Sequence, residues 1–158
     1  MKSVNELLKK IEQYFIGTLL LLVAVILFIS VVFRLFDTSI MWAEEFARYA
    51  IVWITFVGAS VCIYKGAHIG IDIFLQMLNN KGKKALLVFT IIFSIVFALL
   101  FTYSSFKITM NVHETKQYSS TMGIPMSVAY AAMPVGGILM VLRFIEELVK
   151  LVKEEGDK

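Results

Sequence analysis

The sequence predicts an all-α integral membrane protein, with four transmembrane helices in a single membrane domain. Hydrophobic residues make up 59% of its 158 residues and charged residues only 17%, whereas soluble domains are about half apolar and a quarter charged. The apolar residues are concentrated in four blocks, each close to the ~20 residues that cross a bilayer as a helix. Helices are expected because open strands would leave backbone polar groups unpaired in lipid.

The four blocks predict spans at about 14–34, 43–64, 85–106 and 125–144. The first and third blocks contain no charge from Tyr14 to Phe33 and from Ala85 to Phe106. The second is short after Arg48, and it reaches full length only if the Arg48 side chain faces protein or extends to the membrane surface.

Lysine and arginine residues predict that both termini are cytoplasmic. Eleven of the 15 lie in the N-terminal segment, the second connection and the C-terminal tail, which four spans bring to the same side of the membrane. The opposite side carries the remaining four: Arg34, Arg48, Lys107 and Lys116. Cytoplasmic connections are enriched in basic residues, so the side with eleven is expected to be the inner one.

Two amphipathic segments, at about 3–13 and 70–79, are predicted to lie as short helices in the cytoplasmic interface. In the first, apolar residues recur at helical spacing, and Ser3 and Glu6 match a capping box. In the second, one face carries Ile71, Phe74, Leu75 and Leu78. The alternative is that each segment simply continues a neighbouring span.

Small side chains form stripes on several spans. The third span carries Thr90, Ser94, Ala98 and Thr102 at steps of four, and the fourth carries Ala132 and Gly136. Small residues let transmembrane helices approach closely. Two interpretations remain open: packing among the four spans, or contact with a second membrane protein.

A charged cluster opens the second span. Glu44 and Glu45 precede Arg48 by four and three residues, so both carboxylates can reach it on a helix. Trp42 and Trp53 lie on either side of these charges, and Trp42 suits the membrane interface. The cluster is interpreted either as a docking site at the outer surface or as a self-satisfied helix start, with acids favoured near the N-terminus by the helix dipole.

Other polar residues give little sign of chemistry. His68 and Asp72 stand four apart, which favours a structural pair over a catalytic dyad because no third group accompanies them. The single cysteine, Cys62, and the wide separation of the two histidines indicate neither a disulfide nor a metal site. No cofactor is expected, and the net charge of +3 indicates no nucleic-acid partner.

The boundary motifs resemble those of the small membrane subunit of tripartite ATP-independent periplasmic (TRAP) transporters, and the match runs through all four spans in order. The residues that carry it are Trp42-x-Glu44-Glu45-x-x-Arg48-x4-Trp53, Gly66-x-His68-Ile69-x-Ile71-Asp72, Gly123-Ile124-Pro125 and Tyr130-x3-Pro134-Val135-Gly136. One departure is Lys116, where the family pattern leads us to expect glycine before Gln117.

The resemblance implies a three-part, sodium-driven system in the bacterial inner membrane. A soluble periplasmic protein would capture an organic acid, such as sialic acid or a C4-dicarboxylate, and a large elevator-like membrane subunit would carry it across. This chain would be the static scaffold in contact with membrane lipid, a separate polypeptide that binds no substrate. The expected structural or partner-contact residues are Trp42, Glu44, Glu45, Arg48, Trp53, His68, Asp72, Tyr130 and Pro134.

Two other function classes remain as alternatives. An autonomous four-helix carrier would need a membrane-buried acid to exchange protons, and the first span contains none. A membrane enzyme would need metal-binding aspartates or a C-x-x-C motif, and neither is present. The scaffold interpretation is therefore favoured.

Overall fold

The computed structural model describes residues 2–64 and 80–156, with side chains described for 6–64, 82 and 85–151. In this part of the chain the secondary structure is helical, apart from one isolated β-bridge between Tyr118 and Pro125. The helices are α1 (Lys2–Arg34), α2 (Met41–Tyr64), α3 (Asn80–Glu114), α4 (Ser127–Tyr130) and α5 (Ala132–Gly156). Four helical stretches are long and apolar enough to cross a membrane, which confirms the predicted all-α fold with four spans.

The helix bounds differ from the predicted spans, since α3 begins at Asn80 instead of 85 and α5 ends at Gly156 instead of 144. Segment 3–13 is the first part of the continuous helix α1, so it is not a separate element, and its position in the interface stays a prediction. Helix α3 continues eight residues beyond the predicted end at 106. Lys107 lies within this extension, and its Nζ lies 6.0 Å from the ring centre of Tyr103, one turn earlier. The second predicted interfacial helix, 70–79, lies outside the described residues.

The helices pack in the spatial order α1, α2, α5, α3. In the described residues the two end helices, α1 and α3, make no extensive contact with each other. At one end of this row, Val23 of α1 packs against Ala47 and Ala50 of α2. The molecule is therefore a row of helices with two broad faces, and most bulky apolar side chains on α1 and α3 stay exposed within the chain.

Two adjacent glycines place α5 in the middle of the row. A Cβ atom at Gly136 would lie 2.7 Å from the carbonyl oxygen of Phe56 on α2. A Cβ atom at Gly137 would clash with the Thr102 side chain on α3. The row therefore depends on glycine at both positions, because each neighbouring helix approaches closer than a methyl group allows.

The stripes of small residues are used inside the chain. Ala98 and Ala132 are almost fully buried, and Gly58 of α2 meets Ile16 of α1. Together with the glycine contacts of α5, these positions account for ordinary packing among the spans. The outward faces of the row carry mostly bulky side chains.

The fourth span is interrupted near Pro134. Proline has no backbone N–H, so the carbonyl oxygen of Tyr130, four residues earlier, lacks its usual helical donor. The hydroxyl of Thr109 on α3 lies 3.2 Å from this oxygen and 2.8 Å from the carbonyl oxygen of Ser105, so its single hydrogen is shared between the two acceptors. Pro134 itself is buried. The Tyr130 and Pro134 motif thus shapes the joint between α4 and α5 and ties it to α3.

The backbone conformation at Lys116 shows why glycine is expected at this position. It follows the end of α3 with φ at +48°, in the left-handed region that glycine adopts without steric cost. Its backbone N–H donates to the carbonyl of His113 at 3.1 Å, which closes the end of the helix. Glycine is therefore the residue that the backbone favours here, and lysine occupies the site at a conformational cost.

Candidate functional site

The charged start of α2 forms an outer cluster, defined by Glu45, Tyr49 and Thr121 and called outer after the predicted orientation. Tyr49 donates its hydroxyl hydrogen to Glu45 Oε1 at 2.6 Å. The backbone N–H of Thr121 donates to Glu45 Oε2 at 3.0 Å, and the Thr121 hydroxyl donates to the same oxygen. The carboxylate thus joins α2 to the connection between α3 and α4.

The connection that Glu45 contacts is a tight turn. Ser119 donates its backbone N–H to the carbonyl of Ile124 at 2.8 Å, and Met126 donates to Gln117 at 2.9 Å. Gly123 has φ at +64°, which glycine adopts readily. Because the turn is closed by its own backbone, Thr121 is presented to Glu45 from a defined loop.

The predicted pairing of Arg48 with both carboxylates is not formed. Among the described residues, no ion pair within 4.0 Å joins Arg48 to Glu44 or Glu45. Glu45 faces Thr121 instead, while Glu44, Arg48 and Trp42 remain exposed at the outer end of α2. Helical spacing predicted only that the charges could reach one another. The partner of Glu45 is instead Thr121, in a loop remote in sequence.

The other sequence-predicted residues lie apart from this cluster. Trp53 lies deeper in α2, where its ring meets Phe15 of α1 edge-on with ring centres 6.1 Å apart. Tyr130 and Pro134 belong to the α4–α5 joint. His68 and Asp72 lie outside the described residues. The structure therefore brings together four of the nine residues, Trp42, Glu44, Glu45 and Arg48, at the outer end of one helix.

A second group of polar residues, the inner cluster, lies at the membrane boundary opposite the outer cluster. Arg143 of α5 donates to Glu12 of α1 at 2.9 Å, with both side chains only 5% exposed. Arg143 also reaches Glu146 at 3.3 Å, one turn further along α5. Glu12 Oε2 is buried with no hydrogen-bond partner among the described residues. Within this part of the chain, Arg143 is the partner of the Glu12 carboxylate.

Tyr64 connects the inner cluster to α2. Its hydroxyl accepts a hydrogen bond from the Gln13 side-chain amide at 2.8 Å. Lys9 Nζ and Arg143 Cζ each lie 5.0 Å from the centre of its ring, a distance at which a cation is attracted to the aromatic face. The inner cluster thus links α1, α2 and α5 at one membrane boundary.

Sequence reasoning missed the inner cluster, although a signal was present. Glu12 stands just before the first span and Arg143 just after the apolar core of the fourth. An even number of spans brings both positions to the same side, so opposite charges at the two span ends could have been paired. Thr121 had no comparable signal because its contact depends on the fold of a loop.

Both clusters join helices. In the residues that the structure describes, no three His, Cys, Asp or Glu side chains lie close enough to hold a metal ion together. The outer cluster joins a carboxylate to hydroxyl and amide donors, and the inner cluster pairs a carboxylate with a guanidinium. These arrangements suit the fixing of helix positions.

Comparison with known proteins relates the whole chain to one transporter component. Residues 23–154 match the family model described as tripartite ATP-independent periplasmic transporters, DctQ component. A putative TRAP transporter small permease protein of Haemophilus influenzae (strain ATCC 51907) is 27% identical over 158 residues, which cover 100% of this chain and 94% of that protein. The C4-dicarboxylate TRAP transporter small permease protein DctQ of Rhodobacter capsulatus is 26% identical over 112 residues, covering 68% and 48% of the two chains.

A longer relative shares the same region. The sialic acid TRAP transporter permease protein SiaT of Haemophilus influenzae (strain 86-028NP) is 30% identical over 153 residues, which are 92% of this chain and 23% of that protein. The chain thus corresponds to less than a quarter of SiaT and to nearly all of the small permease protein. With four apolar spanning helices, these matches indicate a multi-pass protein of the bacterial inner membrane. The chain belongs to the DctQ family and is the small permease subunit of a TRAP transporter.

Proposed function

We propose that this subunit is a static scaffold for a large membrane subunit that moves substrate, supplied by a soluble periplasmic binding protein. The single observation that carries the proposal is that contacts at both membrane boundaries join the helices of the row. Glu45 holds the outer end to the loop at Thr121, and Arg143 holds Glu12 at the inner end. A row fixed in this way can resist the movement of a neighbour.

The interior of the row also favours a scaffold over a carrier. A carrier has polar or ionisable groups near the bilayer midplane, or broken helices around a substrate site. Here the central part of each span contains no charged residue. The close contacts of Gly136 and Gly137 fill the space between the middle helices, which leaves little room for a substrate path there.

The boundary residues take two roles in this proposal. Trp42, Glu44 and Arg48 are exposed at the outer end of α2 and are available to contact a partner subunit, and we assign His68 and Asp72 to assembly at the inner side. The residues that hold the shape of the subunit are Glu45, Trp53, Tyr130 and Pro134.

The transported substrate is proposed to be an organic acid of the sialic acid or C4-dicarboxylate type, because four relatives carry these substrates in their names. Coupling to sodium and an elevator-like movement would both belong to the large subunit. The alternative is that this chain is itself a small carrier, which the same experiment tests.

Reconstitution in liposomes separates the two functions. Uptake of radiolabelled sialic acid or succinate, driven by an inward sodium gradient, is expected only when this chain, the large subunit and the binding protein are all present. Omission of any one component should abolish uptake. Transport by this chain alone would establish the carrier and overturn the scaffold.

The exposed charge of the outer end provides a second test. The Arg48→Ala variant should reduce co-purification of the large subunit or the rate of uptake, because Arg48 is exposed and forms no ion pair with a described residue. Lys107→Ala is a matched control, since Lys107 is also exposed and basic on the same predicted side. Equal complex yield and uptake in the two variants would remove Arg48 from the interface.

A further inference from the structure

A line of exposed apolar side chains, the α5 seam, runs along α5. Its members recur at steps of three and four residues and are 39–53% exposed: Val135, Ile138, Leu142, Ile145 and Val149. Because α2 and α3 flank α5 in the row, the α5 seam lies along the middle of one broad face. Steps that average about 3.5 residues are typical of a helix that packs lengthwise against another helix.

The α5 seam continues beyond the hydrocarbon region of the membrane. Glu12 and Arg143 stand at the inner ends of the apolar blocks of the first and fourth spans, so their ion pair marks the inner limit of that region. Val149 lies six residues further along α5, which is about 9 Å, and a typical helix tilt of about 20° shortens this depth by less than ~1 Å. The headgroup zone on each side of a bilayer is only about 5–7 Å deep. The α5 seam therefore ends in the aqueous space, where lipid tails do not cover an apolar side chain.

Charge also distinguishes the inner end of α5 from a segment that lies on the membrane surface. Residues 144–158 contain five acidic residues and three lysines. Anionic headgroups of the cytoplasmic leaflet attract basic residues, so an acidic segment is not drawn to them. The inner end of α1 differs, because Lys9 and Lys10 accompany its exposed apolar residues Leu7 and Ile11. The inner end of α1 thus suits the membrane surface, whereas that of α5 favours a protein partner.

Depth and charge together identify the kind of protein. A soluble partner could reach Val149, but Val135 lies eight residues before Arg143, about 12 Å inside the membrane. Transmembrane helices carry extra lysine and arginine near their cytoplasmic ends, and these would face the acidic end of α5. A second copy of this chain would instead bring two acidic ends together, and the juxtaposition of like charges is costly.

We propose that the α5 seam binds a transmembrane helix of the large subunit, one that continues past the inner boundary and carries basic residues there. This inference rests on the proposed function for the presence of the large subunit, and on the predicted orientation for the inner side. The contact suits a scaffold because α5 is the middle helix, held closely by α2 at Gly136 and by α3 at Gly137. A moving neighbour would therefore push on a helix that is supported on both sides.

Photo-cross-linking in the complete transporter tests this contact. A benzophenone amino acid is placed at Val149 or Leu142 of the α5 seam, and for control at Leu7, which is exposed at a comparable depth on α1. We expect a covalent product with the large subunit from both positions of α5 and none from Leu7. A product of two copies of this chain, a lipid adduct at Leu142, or a product with the large subunit from Leu7 alone would overturn the proposal.

Charge substitution at the inner end of the α5 seam gives a second readout. Val149 is exposed, so its variants should fold, and a monodisperse size-exclusion peak of the chain alone verifies this. Val149→Lys should lower co-purification of the large subunit at least about tenfold. Val149→Glu should lower it less, because a basic neighbour repels only the lysine. The control Leu7→Lys should leave the yield unchanged. Equal yields for Val149→Lys and Leu7→Lys, or a greater loss with Val149→Glu than with Val149→Lys, would contradict the contact.

These outcomes are distinct from those that test the proposed function. Uptake that requires all three components, together with full complex yield in both Val149 variants, would refute the contact at the α5 seam and leave the scaffold in place. Uptake by this chain alone would refute the scaffold, whereas a cross-link from Val149 to the large subunit would still support the contact at α5.

Discussion

The Arg143→Met variant should strongly destabilise the subunit. The guanidinium lies 2.9 Å from Glu12, and both side chains are 5% exposed. Removing it leaves a buried carboxylate without a partner among the described residues, because the other oxygen of Glu12 has none there. Breaking a buried ion pair from one side costs about 3–5 kcal/mol, and the upper part of this range is expected because no second donor in the described part of the chain replaces the arginine.

The two sides of the pair should respond unequally. A Glu12→Gln variant keeps a carbonyl oxygen that can accept from Arg143, and Arg143 keeps Glu146 at 3.3 Å, so the expected loss is about 1 kcal/mol. The double variant Glu12→Leu with Arg143→Met replaces the pair by apolar side chains, an exchange that is often neutral or stabilising. It should therefore recover most of the stability lost in Arg143→Met.

Thermal unfolding of the detergent-solubilised chain, followed by loss of the monodisperse peak in size-exclusion chromatography, measures these differences. For a chain of this size, 1 kcal/mol corresponds to about 2–4 °C, so Arg143→Met should lower the midpoint by roughly 10 °C. The reasoning is refuted if Arg143→Met and Glu12→Gln have the same midpoint, or if the double variant is less stable than Arg143→Met.

Three further substitutions test the packing and the backbone by the same measurement. Lys116→Gly should gain about 1 kcal/mol because glycine adopts a positive φ without the steric cost of a side chain, and the matched control Lys116→Ala should gain nothing. Gly136→Ala should cost about 1–3 kcal/mol and Gly137→Ala less, because the first new methyl group meets backbone and the second meets a side chain that can rotate; the reverse order would contradict the packing of α5. Thr109→Val should cost about 0.6 kcal/mol and Thr109→Ser almost nothing, because only valine leaves the Tyr130 carbonyl without a donor, and equal midpoints for the two variants would remove Thr109 from this role.

The family and the number of spans could both be predicted from the sequence. Four apolar blocks of bilayer length leave little choice of architecture, because the solvent around each helix is itself apolar. The boundary motifs around Arg48 and Pro134 were sufficient to indicate the transporter family. Even the departure at Lys116 marked a real feature, since the backbone there adopts a conformation that favours glycine.

Partner choice within the fold could not be predicted in the same way. Helical spacing placed Glu45 within reach of Arg48, yet the carboxylate binds Thr121, 76 positions away in sequence. The spacing of residues along a helix predicts only contacts between neighbours on that helix. The position of a loop depends on how three helices pack. The stripes of small residues had the same limit, because spacing identifies a packing face without identifying what packs on it.

The sequence by itself determined that this chain crosses the membrane four times, because hydrophobic length and charge distribution act locally and require no knowledge of packing. Only the tertiary structure decided that the helices form a row with α5 in the middle, and that Glu12 and Arg143, 131 positions apart, meet at one end of it. The physical reason is that a buried ion pair or a glycine contact forms only between the surfaces of two different helices. Those surfaces exist only after the helices have packed.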